Sequence, residues 1–348
     1  MPGFESIIDQ DRPIRILTTF LQKGTVPHAL LFTGIEGVGK QNTAVAFAMA
    51  CNCTGDNFET KSELRDSRVA GGHSTTNRPR RVNPCGNCKS CRKIESENHP
   101  DIIRVKPSGV FIKIDQIRTL CRTLAMKPYE AGMRVVIISD AQAMNPAAGN
   151  ALLKVLEEPP PGTILILVAN HTSDLLATIV SRCRHIRFNP ISRTKMESIL
   201  VSRHGFDPEN AMIIAAMAGG SFPRALHMHR TNWINRRNWL ISELDSLSSV
   251  SISRLLAFSE QLAKNKDALP DALEVMKSWL RDLVIGKLYP EKIIHQDLTD
   301  NVHRASQKMS TTSLLSKFET IQSTQNAIQA GINLRLAMET MVLKLSRI

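Results

Sequence analysis

Five short apolar runs punctuate the first half of the chain. They are Ala29 to Thr33, Ile102 to Val105, Val135 to Ile138, Ile164 to Val168, and a last run that follows Ser181-Arg182-Cys183 and closes at Pro190. The runs at 29, 135 and 164 are continuous rather than alternating, the pattern of a strand buried on both faces of a parallel sheet. Between them lie stretches with helical spacing. Residues 4 to 24 give a loop and then an amphipathic helix with Ile14, Leu17, Phe20 and Leu21 on one face. Asn42 to Ala50 reads as a helix, Ile112 to Arg118 starts another that runs to about Leu124, and Asn150 to Glu158 is a third, which stops at Pro159-Pro160-Pro161. Strand alternating with helix predicts a doubly wound parallel sheet with helices on both faces. Chemistry in such sheets gathers beyond the carboxyl ends of the strands, which draws attention to Ser139-Asp140.

The second half changes character. Ile191 to Val201 and Ala211 to Ala218 are short helices, the latter ended by Gly219-Gly220. From 231 onward the pattern is all helix: Trp233 to Leu247, Ser251 to Lys264, Leu269 to Leu288, Val302 to Gln325, and Asn333 to Leu345 with Asn333 as its cap. There are no internal repeats and no sustained heptads.

Composition narrows the function class. The 348 residues carry a formal charge of +12, which suits an acidic partner such as nucleic acid. Aromatic residues make up only 5%, so the core rests on Leu, Ile, Val, Ala and Met. No apolar run reaches the length of a membrane span and the N-terminal segment lacks a signal-peptide core, so a cytoplasmic protein is expected. Seven cysteines, three of them spaced as CxxCxxC, fit metal ligation in a reducing compartment better than disulfides.

Two motifs carry chemistry. After the first strand, Gly34 to Gln41 reads GIEGVGKQ. Gly34, Gly39 and Lys40 match a phosphate-binding loop, in which backbone N–H groups wrap a phosphate and the lysine reaches its outer oxygens. The position after Lys40 should supply a hydroxyl to Mg²⁺, and it is Gln41. Further on, Cys85, Cys88 and Cys91 form a knuckle suited to a structural Zn²⁺, which needs a fourth ligand. Cys51 and Cys53, at the end of the preceding helix, both offer one. The intervening residues 54 to 83 are polar, with Arg78, Arg80 and Arg81, and are expected to form a solvated loop.

The words NALLKVLEEPP (150 to 160) and SRC (181 to 183), with the phosphate loop and the cysteine knuckle, resemble the bacterial DNA polymerase III clamp-loader family of AAA+ proteins. The resemblance spans roughly residues 4 to 345. It implies an AAA+ domain over 1–189 with a zinc module at 51–91, a helical lid over 190–229, and a helical collar over 230–348. It implies adenine contacts near the lead-in at 4 to 24, and Cys53 as the fourth zinc ligand. It implies that Arg182 is an arginine finger offered to a neighbour's γ-phosphate, and that Arg224, in Ser221 to Leu226, occupies a phosphate-sensing position of the lid. An ATP-hydrolysing relative carries Asp-Glu where this chain has Ser139-Asp140. A serine is a poor replacement for a carboxylate on Mg²⁺. With Gln41 also altered, ATP hydrolysis by this chain is not expected, and its phosphate loop is a vestige or a weak binder. The implied partners are gamma/tau and delta subunits in a hetero-pentamer, the sliding clamp indirectly, and primed DNA. Two other readings stand beside this one: an active gamma/tau-like ATPase, and a zinc-dependent nucleic-acid-binding protein with a relic loop.

Overall fold

The computed structural model describes residues 3–55 and 83–347. The predicted loop at 54 to 83, with Arg78, Arg80 and Arg81, lies almost wholly outside the described residues. The chain divides into two compact units: Met1–Lys195 with Gly220–Phe222, and Met196–Gly219 with Pro223–Ile348.

The first unit contains, in order, α1 (Asp11–Lys23), β1 (Ala29–Thr33), α2 (Lys40–Asn52), α3 (Lys89–Glu95), β2 (Ile102–Val105), α4 (Ile114–Ala125), β3 (Arg134–Ile138), α5 (Pro146–Glu157), β4 (Thr163–Ala169), α6 (Ala177–Val180) and β5 (Arg184–Arg187). The five strands form one parallel sheet in the order β2-β3-β4-β1-β5. Every residue of β1, β3 and β4 is buried, which is why their sequences are unbroken apolar runs. Alternate side chains enter opposite layers. Leu30, Phe32, Val135, Ile137, Ile164 and Ile166 pack with α1 and α2 residues such as Leu17, Leu21, Phe47 and Met49. Leu31, Val136, Ile138, Leu165 and Leu167 pack with Leu120 and Leu124 of α4 and Leu152 and Leu156 of α5. Strand β5 lies at the edge, and three of its four residues, Arg184, His185 and Arg187, are exposed. Charge on that edge discourages pairing with another strand.

A buried carboxylate braces the amino end of β3. Asp101, 2% exposed, accepts hydrogen bonds from the backbone N–H groups of Tyr129 (2.8 Å), Glu130 (2.7 Å) and Ala131 (2.8 Å), with Arg134 Nε at 3.7 Å. Burial raises its pKa. The N–H donors of Glu130, Tyr129 and Ala131 and the charge of Arg134 outweigh that, and the carboxyl is held below its ordinary range. A lowered folded-state pKa contributes stability above the unfolded value, and this is lost as pH falls through the folded one. Asp101→Asn is expected to cost roughly 2 kcal/mol at pH 7. It should also flatten the acid limb of the unfolding curve below about pH 4, both read by thermal melts across pH. Unchanged melts would remove the bracing role.

The second unit is helical: most of α7 (Arg193–His204), then α8 (Pro208–Met217), α9 (Phe222–Arg230), α10 (Trp233–Ser246), α11 (Ile252–Lys264), α12 (Leu269–Ile285), α13 (Thr299–Lys308), α14 (Thr311–Gln329) and α15 (Leu334–Arg347). Helix α12 packs on α10, α13 and α14, and α15 packs on α11 and α14, around Met276, Trp279, Leu283, Ile321 and Val342. Asn333 Oδ1 accepts from the N–H of Leu336 at 3.2 Å, capping α15 as expected. The single helix expected over Val302 to Gln325 is instead two. Met309 is extended, and Ser310 caps α14 by accepting from the N–H of Ser313, so a new helix starts where the apolar spacing alone runs on. No helix among the described residues is long and apolar enough to cross a membrane.

Candidate functional site

The loop between β1 and α2 runs along the carboxyl end of the sheet. Gly34 has φ +147°, and a Cβ there would lie 2.6 Å from the carbonyl oxygen of Phe188, so only glycine fits. Gly39, at φ +96°, turns the chain into α2, and its carbonyl accepts from Thr43 Oγ1 at 2.8 Å. Lys40 is the first residue of α2 and is 7% exposed. Its ammonium donates to the carbonyl oxygens of Gly34 and Ile35 (2.9 Å for Ile35) and to Asn170 Oδ1 at 3.2 Å. Burial lowers its pKa, opposed by the charges of Asp140 and Glu36.

Asn170 was not singled out by the sequence pattern. It follows β4 directly, holds Lys40 with its side chain, and accepts the N–H of Gly34 on its carbonyl at 3.0 Å. The available signal was its place as the first polar residue beyond the carboxyl end of a buried strand.

Gln41 and Ser139, the two positions where the resemblance implies metal handling, touch each other. Ser139 Oγ donates to Gln41 Oε1 at 3.0 Å, so a hydroxyl and an amide satisfy one another. Asp140 lies just beyond in the left-handed region at φ 50°, is exposed, and accepts from Gln142 Nε2 at 3.3 Å. In the lead-in before α1, the buried Gln10 spends its amide on the backbone of Asn189, donating to its carbonyl at 2.7 Å and accepting its N–H at 3.1 Å. That contact ties residues 10 and 189 together.

The cysteines converge. Cys53 follows α2, Cys85 and Cys88 precede α3, and Cys91 is inside α3. Their Sγ atoms all lie within 4.8 Å of one another, and Cys85 and Cys91 are 4.0 Å apart. A tetrahedral ion with sulfur bonds of about 2.3 Å sets sulfur–sulfur edges near 3.8 Å, so small shifts close the set on a metal. Backbone N–H groups already point at the sulfurs: Cys85 to Cys53 (3.4 Å), Cys88 to Cys85 (3.3 Å) and Cys91 to Cys88 (3.4 Å). Such donors favour thiolates. Burial raises the Cys88 thiol, yet hydrogen bonds from Cys91 and Thr54 bring it down to about 6, while burial and the hydrogen bond with Cys88 push the Cys91 thiol up. The group can hold a metal ion. Cys51, inside α2, is outside the set.

Arg182 sits in the turn between α6 and β5 and is partly exposed. Its guanidinium pairs with Glu157 Oε1 at 2.7 Å and donates to the carbonyl of Thr178 at 3.0 Å. Arg184 stands level with Leu30, four residues before Gly34. At a rise of about 3.3 Å per residue, Arg182 lies more than roughly 13 Å down the sheet from its own phosphate loop. The structure therefore does not bring Arg182 and Lys40 together. Arg224 is the third residue of α9, half-buried, in the second unit.

These features were compared with known proteins. The family model described as DNA polymerase III, delta subunit, matches residues 9–74 and 67–192, and the one for its C terminal part matches 231–347. The DNA polymerase III subunit delta' of Bacillus subtilis (strain 168) is 27% identical over 341 residues, 97% of this chain and 96% of its own. The subunit delta' of Haemophilus influenzae is 34% identical over 171 residues, 49% of this chain and 45% of its own. The subunit tau of Escherichia coli (strain K12) is 29% identical over 230 residues, 65% of this chain and 32% of its own. With a parallel sheet that carries a glycine-shaped phosphate loop, and with matches running along nearly its whole length, this chain belongs to the DNA polymerase III delta-subunit family.

Proposed function

We propose that this chain is a delta-prime-type, non-hydrolysing subunit of a bacterial replicative clamp loader, and that it serves the reaction by lending Arg182 to an adjacent ATPase subunit. The observation that carries this reading is the hydrogen bond between Ser139 and Gln41. Gln41 stands where a hydroxyl would be needed and Ser139 where a carboxylate would be, and binding a hydrated ion there would first cost their mutual contact. No carboxylate of the right length follows to polarise a water: Asp140 is shorter than the glutamate of a hydrolysing relative and already takes Gln142.

What remains is a rigid frame. Lys40 keeps the loop folded by binding its carbonyls, and α5 and α6 hold Arg182 away from that loop. Residues 190–229 form the lid and 230–348 the part that meets other subunits. In a ring, a guanidinium at Arg182 would face the γ-phosphate bound by the neighbour, where it offsets the charge that builds during phosphoryl transfer. Arg224 has no phosphate of its own to sense and acts as a lid residue. Cys53, Cys85, Cys88 and Cys91 would hold a structural Zn²⁺ that clips α3 to the end of α2. The partners are gamma/tau and delta subunits, with the sliding clamp reached through the complex and primed DNA gripped partly by the chain's positive charge.

The test is reconstitution. The purified chain alone is expected to show no ATP turnover above a blank. Mixed with gamma/tau and delta subunits it should enter one complex, and DNA should stimulate that complex's ATPase. Turnover by the chain alone at a motor-like rate, or failure to join the complex, would overturn the reading.

A further inference from the structure

We infer that Glu157 is a positioning residue for Arg182: it sets the direction in which the guanidinium is presented to the neighbouring subunit. This rests on the finger reading above and assigns it a second residue.

The geometry starts in α5. Glu157 is the last residue of that helix, just before the proline run that begins at Pro159. A carboxylate there faces the negative end of the helix dipole, an unfavourable place unless a cation answers it. Arg182 does so, with Nη2 at 2.7 Å from Glu157 Oε1. Two further contacts fix the plane of the group. Nη1 donates to the carbonyl of Thr178 at 3.0 Å and to Ser181 Oγ at 3.4 Å. Together with the ion pair they hold the guanidinium in one place.

Gly149 of α5 faces α6, where a Cβ would meet the ends of the Leu176 and Ile179 side chains, 2.9 Å from Leu176 Cδ1 and 3.6 Å from Ile179 Cδ1. Stability does not explain the pair, because exposed ion pairs contribute little. Orientation does: an arginine free to rotate loses most of its value for an interface reaction.

The experiment uses the reconstituted complex, with kcat and KM for ATP measured under DNA stimulation. Glu157→Gln is expected to lower kcat about tenfold with KM unchanged, because only presentation of the finger is altered. Glu157→Asp should recover part of that loss, while Glu158→Gln, one residue on, should behave as the parent. Combined with Arg182→Ala, Glu157→Gln should add nothing further. Melting temperature and entry into the complex should stay at parental values for all four, since both glutamates are exposed. If Arg182→Ala alone leaves kcat unchanged, the finger reading falls and this one with it. If Arg182→Ala lowers kcat but Glu157→Gln does not, only the role of Glu157 is overturned. A further loss from Glu157→Gln on top of Arg182→Ala would equally overturn it, by showing that Glu157 acts elsewhere.

Discussion

Alanine at position 182 is expected to lower the DNA-stimulated ATP turnover of the reconstituted complex by roughly 10³-fold, the lower end of the range for arginine fingers in phosphoryl transfer. The size of the effect follows from where the charge acts. On the proposed finger reading, the guanidinium in the ground state meets a phosphate already neutralised by the neighbour's own lysine and metal. In the transition state it meets charge spreading over the equatorial oxygens, so its loss falls on kcat. Lysine should not rescue, because a point ammonium cannot hold two oxygens and its stem would not repeat the contacts to Glu157 and Thr178. Assembly should be unaffected: Arg182 is a partly exposed turn residue, and its surface ion pair is worth at most about 1 kcal/mol. Turnover within twofold of the parent in a fully assembled complex would exclude the finger.

Serine at Cys88 should have the next largest consequence, and it would appear in metal content and stability before activity. The parent is expected to carry one zinc per chain, and the variant almost none, read by mass spectrometry under native conditions. Removing a structural metal belongs among the large single-site effects, about 3 kcal/mol or more. For a unit of this size that is a fall of roughly 6–12 °C in melting temperature. The reason is topological. Cys53 and Cys85 are separated by 32 positions, and closing so long a segment has an entropic cost that a shared ion offsets. Helix α3 is two turns long and buries only Cys91 and Ile94, so it has little else to hold it. A strong chelator added to the parent should reproduce the shift. A parent that purifies without metal and melts no lower after chelation would remove zinc from the picture.

Much of the first unit could be read from the chain because its strands are buried on both faces. Ala29–Thr33 was placed to the residue, and the runs at 102, 135 and 164 within one residue at either end, since β-branched and aliphatic residues dominate them. The glycines of the phosphate loop were legible for the same kind of reason: Gly34 sits against Phe188 where no side chain fits. The Ser139–Gln41 contact was not legible. Both residues were marked as departures from a metal site, but 98 positions separate them and only the sheet order puts them side by side. Asn170 was missed because one asparagine after a strand carries no periodic signal. The pairing of Arg182 with Glu157 was hidden likewise, as it depends on where the turn after α6 falls beside the end of α5. In the helical half, apolar spacing continued through Met309, and the break was written only in the capping serine at 310.

A titration of the purified chain with ATP, with and without magnesium, bears on the idea that its phosphate loop has lost its metal grip. Any heat of binding should be small and the same in both cases, and no phosphate should be released. Binding that tightens tenfold or more when magnesium is added, accompanied by hydrolysis, would mean that Ser139 and Gln41 part to admit the ion, and the chain would be a working ATPase.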